Sequence, residues 1–251
     1  MRLWIGVLLV ATLGSSACDR GPLTPLPEPP PGAPLAYVAL GDSYPAGGGP
    51  VGGESYVDHY EDLIEQRNDS EIQVTDLAVS GATTADLLTT ISGAEARAAL
   101  RQAQLVTITI GGNDFLQAAG ACRTEMACLN ETVAEVEERL IEVAGRVRAA
   151  APDALILMTN YPDVVAGNPP ALSFLGYGSF EAAREVSMRS SEMVCSVAER
   201  HGMTCVDVYR AFNGEDGETS AWKEGLLAVD IIHPSAEGHR LIARLLCDLA
   251  C

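Results

Sequence analysis

Five short apolar runs rich in β-branched residues, near 35–40, 72–78, 105–110, 154–159 and 203–208, alternate with amphipathic stretches near 55–67, 83–91, 131–150, 180–201 and 234–249. Few architectures accept that alternation. Strands separated by helices are joined by crossovers, so they run parallel, and a parallel sheet is covered by helices on both faces. The stretch 131–150 shows the covering pattern: Val133, Val136, Leu140, Val143 and Val147 share one side, and Glu131, Glu135, Glu138 and Glu142 the other. Residues 35–251 suffice for one well-buried α/β domain and contain no internal repeat.

In an open parallel sheet the chemistry collects at the carboxyl ends of the strands, so the residues there matter most. The run Leu35-Ala-Tyr-Val-Ala-Leu40 stops at Gly41 and presents Ser43. Gly41-Asp42-Ser43 is by itself an ordinary turn. It is also not the Gly-x-Ser-x-Gly elbow, because Tyr44-Pro45 follow. A serine hydroxyl needs a base, a group that orients the base, and donors for an oxyanion. After the second strand, Gly81 precedes a helix capped by Thr83 or Thr84; its N–H is free to meet an anion, although a plain strand-to-helix turn has the same letters. The third strand ends in Gly111-Gly112-Asn113-Asp114, where Asn113 offers an uncharged donor and Asp114 reads as a structural acceptor.

Four histidines compete for the role of base. His59 sits among acids in an early helix, His201 lies at a helix end and His239 falls inside the last helix. His233 occurs in Asp230-Ile231-Ile232-His233-Pro234, where a turn lets a carboxylate three residues back take one ring nitrogen and leaves the other for Ser43.

Outside these segments, residues 1–17 have the charged start, apolar run and small-residue end of a secretory signal peptide. Cys18 stands where a lipoprotein carries its lipid, and cleavage by a general signal peptidase after Ala17 fits the residues nearly as well. Residues 18–34 read as a stiff, extended tether, with half of the chain's 14 prolines between 19 and 34. Seven cysteines less Cys18 leave an even number, which suits disulfides in an oxidising compartment. Pairing between sequence neighbours gives Cys122 with Cys128, Cys195 with Cys205 and Cys247 with Cys251; the last pair is strained if both members lie in a regular helix. Zinc ligation is the alternative, but no Cys-x-x-Cys spacing occurs. A formal net charge of −18 argues against nucleic-acid binding. The loop Gly47-Gly48-Gly49-Pro50-Val51-Gly52 formally matches a dinucleotide fingerprint, yet it is displaced from the strand end and broken by Pro50, so no cofactor is expected and the segment reads as a flexible loop beside the site of Ser43. The apolar stretch 168–180 reads either as a wall for an acyl group or as a loop packed on its own domain.

Four segments in order, Gly41-Asp42-Ser43, Gly81, Gly111-Gly112-Asn113-Asp114 and Asp230-x-x-His233, resemble the SGNH (GDSL-type) hydrolases, especially their secreted bacterial esterases and lipases. The resemblance extends over essentially all of the chain from Leu35. It implies a flavodoxin-like three-layer α/β/α sandwich with strand order 2-1-3-4-5. It also implies Ser43 as nucleophile, His233 as general base and acid, Asp230 as the orienting carboxylate, and an oxyanion hole from the Ser43 and Gly81 N–H groups and the Asn113 side chain. Tyr44 departs from the family's common Gly-Asp-Ser-Leu and is expected to reshape the pocket wall. The expectation is therefore a monomeric serine esterase or lipase, secreted or lipid-anchored at the cell envelope, with a carbohydrate acetylesterase or thioesterase of the same chemistry, or a non-catalytic cell-surface binding module on the same fold, as the alternatives. The expected enzyme acts on small-molecule or lipid esters without metal or cofactor.

Overall fold

A computed structural model of the protein describes residues 24–49, 53–68, 71–122 and 125–251. The expected signal peptide, Cys18 and residues 50–52 of the glycine loop lie outside the described residues. Five strands, β1 (Leu35–Gly41), β2 (Ile72–Asp76), β3 (Leu105–Thr109), β4 (Leu155–Thr159) and β5 (Thr204–Val206), form one sheet in the order 2-1-3-4-5. Every neighbouring pair is parallel.

The two-residue period of a strand divides the core in two. Val38, Leu40, Val106, Ile108, Ile156 and Met158 point to one face. There they pack beneath α2 (Thr84–Ser92), α3 (Ala94–Leu100), α5 (Met126–Ala150) and α7 (Phe180–Arg200). Tyr37, Ala39, Leu105, Leu157 and Val206 point the other way, against α1 (Tyr56–Asn68), α8 (Val208–Asn213) and α9 (Ala236–Leu249). Because both faces are covered, β3 is buried at every residue, which is why its sequence is a continuous Leu-Val-Thr-Ile-Thr run.

The helices differ from the sequence expectation in number and extent. α5 begins at Met126, five residues before the expected start, and α3, α8, α4 (Gly112–Cys122) and α6 (Pro169–Leu175) are additional. The letters Gly-Gly-Asn-Asp read as a turn, but Gly111 alone makes the turn, at φ 114°, and α4 starts on the next residue. In the apolar stretch, Asn168 caps the N-terminus by accepting from the Ala171 N–H, Pro169 and Pro170 occupy the first turn, and Gly176 closes the helix in the left-handed region.

Disulfides join Cys122 to Cys128, Cys195 to Cys205 and Cys247 to Cys251. The first connects the end of α4 to the start of α5, and the second connects α7 to β5. The third is relieved of helical spacing because α9 ends at Leu249 and Ala250 is extended. Part of the proline-rich stretch is docked: the Thr24 N–H donates to the Leu249 carbonyl at 2.8 Å, and Leu26 packs against the core cluster on that face of the sheet.

Candidate active site

The parallel register sets the end of β1 level with the end of β3, Gly41 pairing with Thr109. A Cβ on Gly41 would lie 2.0 Å from the Thr109 carbonyl oxygen, and the residue adopts φ 144°, so only glycine permits the chain to turn here. The next residue, Asp42, is buried and tied down twice. Its Oδ1 accepts from the Tyr44 N–H at 3.0 Å and its Oδ2 from the Tyr161 hydroxyl. Burial pushes the Asp42 carboxyl up to about 6, against the opposing pull of those two donors and of His233. Ser43 is thus displayed from a rigid corner.

His233 arrives on a tight loop between α8 and α9. An isolated bridge pairs Leu227 with Pro234, and the Ala228 N–H donates to the His233 carbonyl at 2.8 Å. At the tip, Ile231 adopts φ 67°, in the left-handed region that β-branched residues avoid. That reversal folds Asp230 back on its own loop. Asp230 Oδ1 accepts the N–H groups of Ile232 at 3.1 Å and His233 at 3.0 Å, while Oδ2 lies 2.8 Å from His233 Nδ1. Burial alone would raise the Asp230 carboxyl, but the N–H and imidazole donors outweigh it and hold the group below the ordinary carboxylate value. With Asp230 accepting, the Nδ1 carries the hydrogen, so Nε2 is the acceptor. It lies 2.8 Å from Ser43 Oγ.

Two features of the site go beyond the sequence reading, which put the glycine loop beside Ser43 and His239 within the last helix but gave neither a partner. A Cβ on Gly48 would come within 2.7 Å of the His233 ring and 2.9 Å of the Ser43 carbonyl, so the backbone of the glycine loop packs directly on the imidazole. Behind that loop sits His239, fully buried on α9. Its Nε2 lies 3.1 Å from the Gly48 carbonyl and its Nδ1 accepts from the Tyr56 N–H at 3.1 Å, a pair of bonds that only the neutral ring satisfies. Burial likewise pushes His239 below the ordinary imidazole value. His59 and His201 are engaged elsewhere, His59 beside Glu54 and His201 with the Val197 carbonyl.

Ser43, Gly81 and Asn113 all border one cavity of about 450 Å³, as does His233. Asn113 donates one amide N–H to the Ala82 carbonyl at 2.9 Å, which fixes the amide and leaves it a second donor. Asp114 accepts from the Thr84 N–H at 2.9 Å and the Thr84 hydroxyl at 2.7 Å, a structural link between α4 and α2. From Ser43 the cavity runs between α4, α6 and α7 along Ile110, Phe115, Leu116, Val165, Leu175 and Val194. The stretch 168–180 therefore fits both of its sequence readings, since Leu175 borders the cavity and also packs with Val165 and Ala183.

A parallel α/β/α sandwich that sets a hydroxyl at a strand end against an imidazole and carboxylate from the loop before its last helix, beside an apolar cavity, has the design of a serine-type ester hydrolase. Residues 39–241 match the GDSL-like Lipase/Acylhydrolase family, and the chain belongs to that family. Lipase 2 of Streptomyces coelicolor is 29% identical over 280 residues, covering 96% of this chain and 94% of its own. Among solved structures, phospholipase A1 from Streptomyces albidoflavus NA297 superposes with a TM-score of 0.61 at 27% identity, over 87% of this chain and all of its own. The lipase Lip_vut3 from a goat rumen metagenome gives 0.71 at 21% identity, over 85% and 96% respectively. The protein is a carboxylic ester hydrolase of this lipase and esterase group. Among the described residues no helix is long and apolar enough to cross a membrane.

Proposed function

We propose that Ser43, His233 and Asp230 carry out two-step hydrolysis of acyl esters. The observation that carries the reading is the unbroken relay from Asp230 through the ring of His233 to Ser43 Oγ, with 2.8 Å at each link. Ser43 attacks the ester carbonyl and its proton passes to His233 Nε2. The resulting imidazolium faces the ionised Asp230. Negative charge on the former carbonyl oxygen is met by the Ser43 and Gly81 N–H groups and the free N–H of Asn113. His233 then gives its proton to the departing alcohol. In the second step it takes a proton from water as the water oxygen attacks the acyl-enzyme, then returns that proton to Ser43 Oγ as the acyl–oxygen bond breaks and the acid leaves.

The apolar cavity beside Ser43 supports an acyl chain, not acetyl alone, as the preferred group. Residues 1–17 fit an export leader and 18–34 the link to the hydrolase domain, which agrees with three disulfides formed outside the cytosol. The intact mass of the processed protein would report whether Cys18 bears a lipid.

The test is an ester panel of increasing acyl length with wild type beside Ser43→Ala and His233→Ala. Either substitution is expected to lower turnover by roughly 10⁴ to 10⁶. Wild-type kcat/KM is expected to rise by about fourfold per methylene until the cavity is full, following ~0.8 kcal/mol per buried methylene. Undiminished turnover in either variant would refute the mechanism, and activity on acetyl esters alone would refute the acyl preference.

A further inference from the structure

Tyr44 follows Ser43 directly, and its hydroxyl donates to the carbonyl of Ile232 at 2.9 Å, the residue immediately before His233. One hydrogen bond thus ties together two segments 188 residues apart in sequence, each end one residue from a member of the relay. The bond is well protected. Tyr44 is 5% exposed, its ring meets Tyr161 edge-on with centroids 5.1 Å apart, and its own N–H is held by Asp42. Its ring centroid is 6.2 Å from that of His233.

The tie acts where the histidine loop has least support of its own. Ile231 sits in the left-handed region, so local preference does not hold the turn in shape. Ile232 is fixed by two bonds of opposite direction, its N–H to Asp230 Oδ1 at 3.1 Å and its carbonyl to Tyr44. The Ile232 carbonyl held by Tyr44 and the His233 N–H, which Asp230 Oδ1 accepts at 3.0 Å, belong to one peptide, so together they set the plane of the Ile232–His233 peptide and with it the direction in which the imidazole leaves the backbone. We infer that Tyr44 is a positioning residue that registers the His233 loop against Ser43. This rests on the serine mechanism above and assigns the tyrosine a role beyond shaping the pocket wall.

Tyr44→Phe removes only the hydroxyl. It is expected to lower kcat by about tenfold, since sub-ångström misplacement of a proton acceptor is enough for such a loss. KM should stay within twofold, and inactivation by a fluorophosphonate should slow by the same factor as kcat. The low-field proton resonance of His233 Nδ1–H is expected to broaden, while circular dichroism is unchanged. A kcat within twofold of wild type, or a change confined to KM, would overturn the assignment and leave Tyr44 as wall. Tyr44→Leu, which also removes the ring, should add a KM effect to the same loss of kcat; normal kcat there would likewise overturn it. Ser43→Ala run in parallel separates the two levels. An active Ser43→Ala sinks the serine mechanism, whereas an inactive one beside an unaffected Tyr44→Phe sinks only the positioning role.

Discussion

Asn113 and Asp114 are adjacent, polar and placed at the same strand end, yet their surroundings give them different work. Asp114 spends its carboxylate on Thr84 and is buried with it. Asn113 has one N–H committed to Ala82 and the other left beside the cavity. Asn113→Ala is expected to reduce kcat on a short soluble ester by roughly 10² to 10³ with little change in KM, because the donor matters only once the oxygen is charged. A loss below tenfold in steady-state kinetics would take Asn113 out of the oxyanion site. At this scale the sequence was informative where position along the chain marks a residue: Ser43, Gly81 and Asn113 were picked out by where their strands end, and His233 by a carboxylate three residues before it. It gave no bonding partner for Tyr44, read as pocket wall, or for His239, read as part of the last helix. Their partners, Ile232 and Tyr56, are 188 and 183 residues away, and no local pattern encodes a hydroxyl or ring nitrogen meeting a distant backbone group.

Among the elements, strands and long helices were legible because burial on two faces or one leaves a plain period in the letters, as in β3 and α5. Short helices were not. α4 hides behind glycines and asparagine that serve the site, and α6 behind prolines, even though an Asn-Pro-Pro start and a glycine stop are legitimate helix signals. α7 has a double duty, since Val186 and Val194 border the cavity while the adjoining Cys195 bonds to Cys205 after the turn into β5. Replacing both Cys195 and Cys205 by serine is expected to lower stability by about 2–3 kcal/mol, the loop-closure value for a crosslink of this span. Urea titration measures it. Turnover of an acetyl ester should hold within twofold while KM for a long acyl ester rises, because only the cavity wall is loosened. Equal effects on both substrates would show that the crosslink supports the relay instead.

For the molecule as a whole, two buried carboxyls shape the response to pH. Burial raises both Asp42 and Asp163 to about 6, well above the 3.8 of an exposed aspartate. A carboxyl raised on folding binds its proton more tightly in the native state, so its contribution is full below the unfolded value and is lost as pH climbs through the folded one. The groups held low, Asp230, Asp86, Glu181 and Glu237, act oppositely, but only as pH falls below the ordinary carboxylate range. The charge of −18 adds self-repulsion near neutrality. The thermal midpoint is therefore expected to rise as pH is lowered from about 7 to about 5, within the window those carboxyl values define. Asp163→Asn should flatten that slope whatever it does to absolute stability, and an unchanged slope in calorimetry would show that Asp163 does not titrate there.

The last helix carries one more implication. α9 starts three residues after His233 and runs 14 residues to Leu249, about 20 Å at the helical rise, where Thr24 and the closing disulfide sit. The end of the molecule that holds His233 and the end that holds Cys251 accordingly occupy opposite poles of this helix. Because the Cys251 sulfur is held by Cys247, a tag fused after residue 251 is the attachment point that would turn the opening toward bulk solution, and cargo fused there would stand clear of incoming ester.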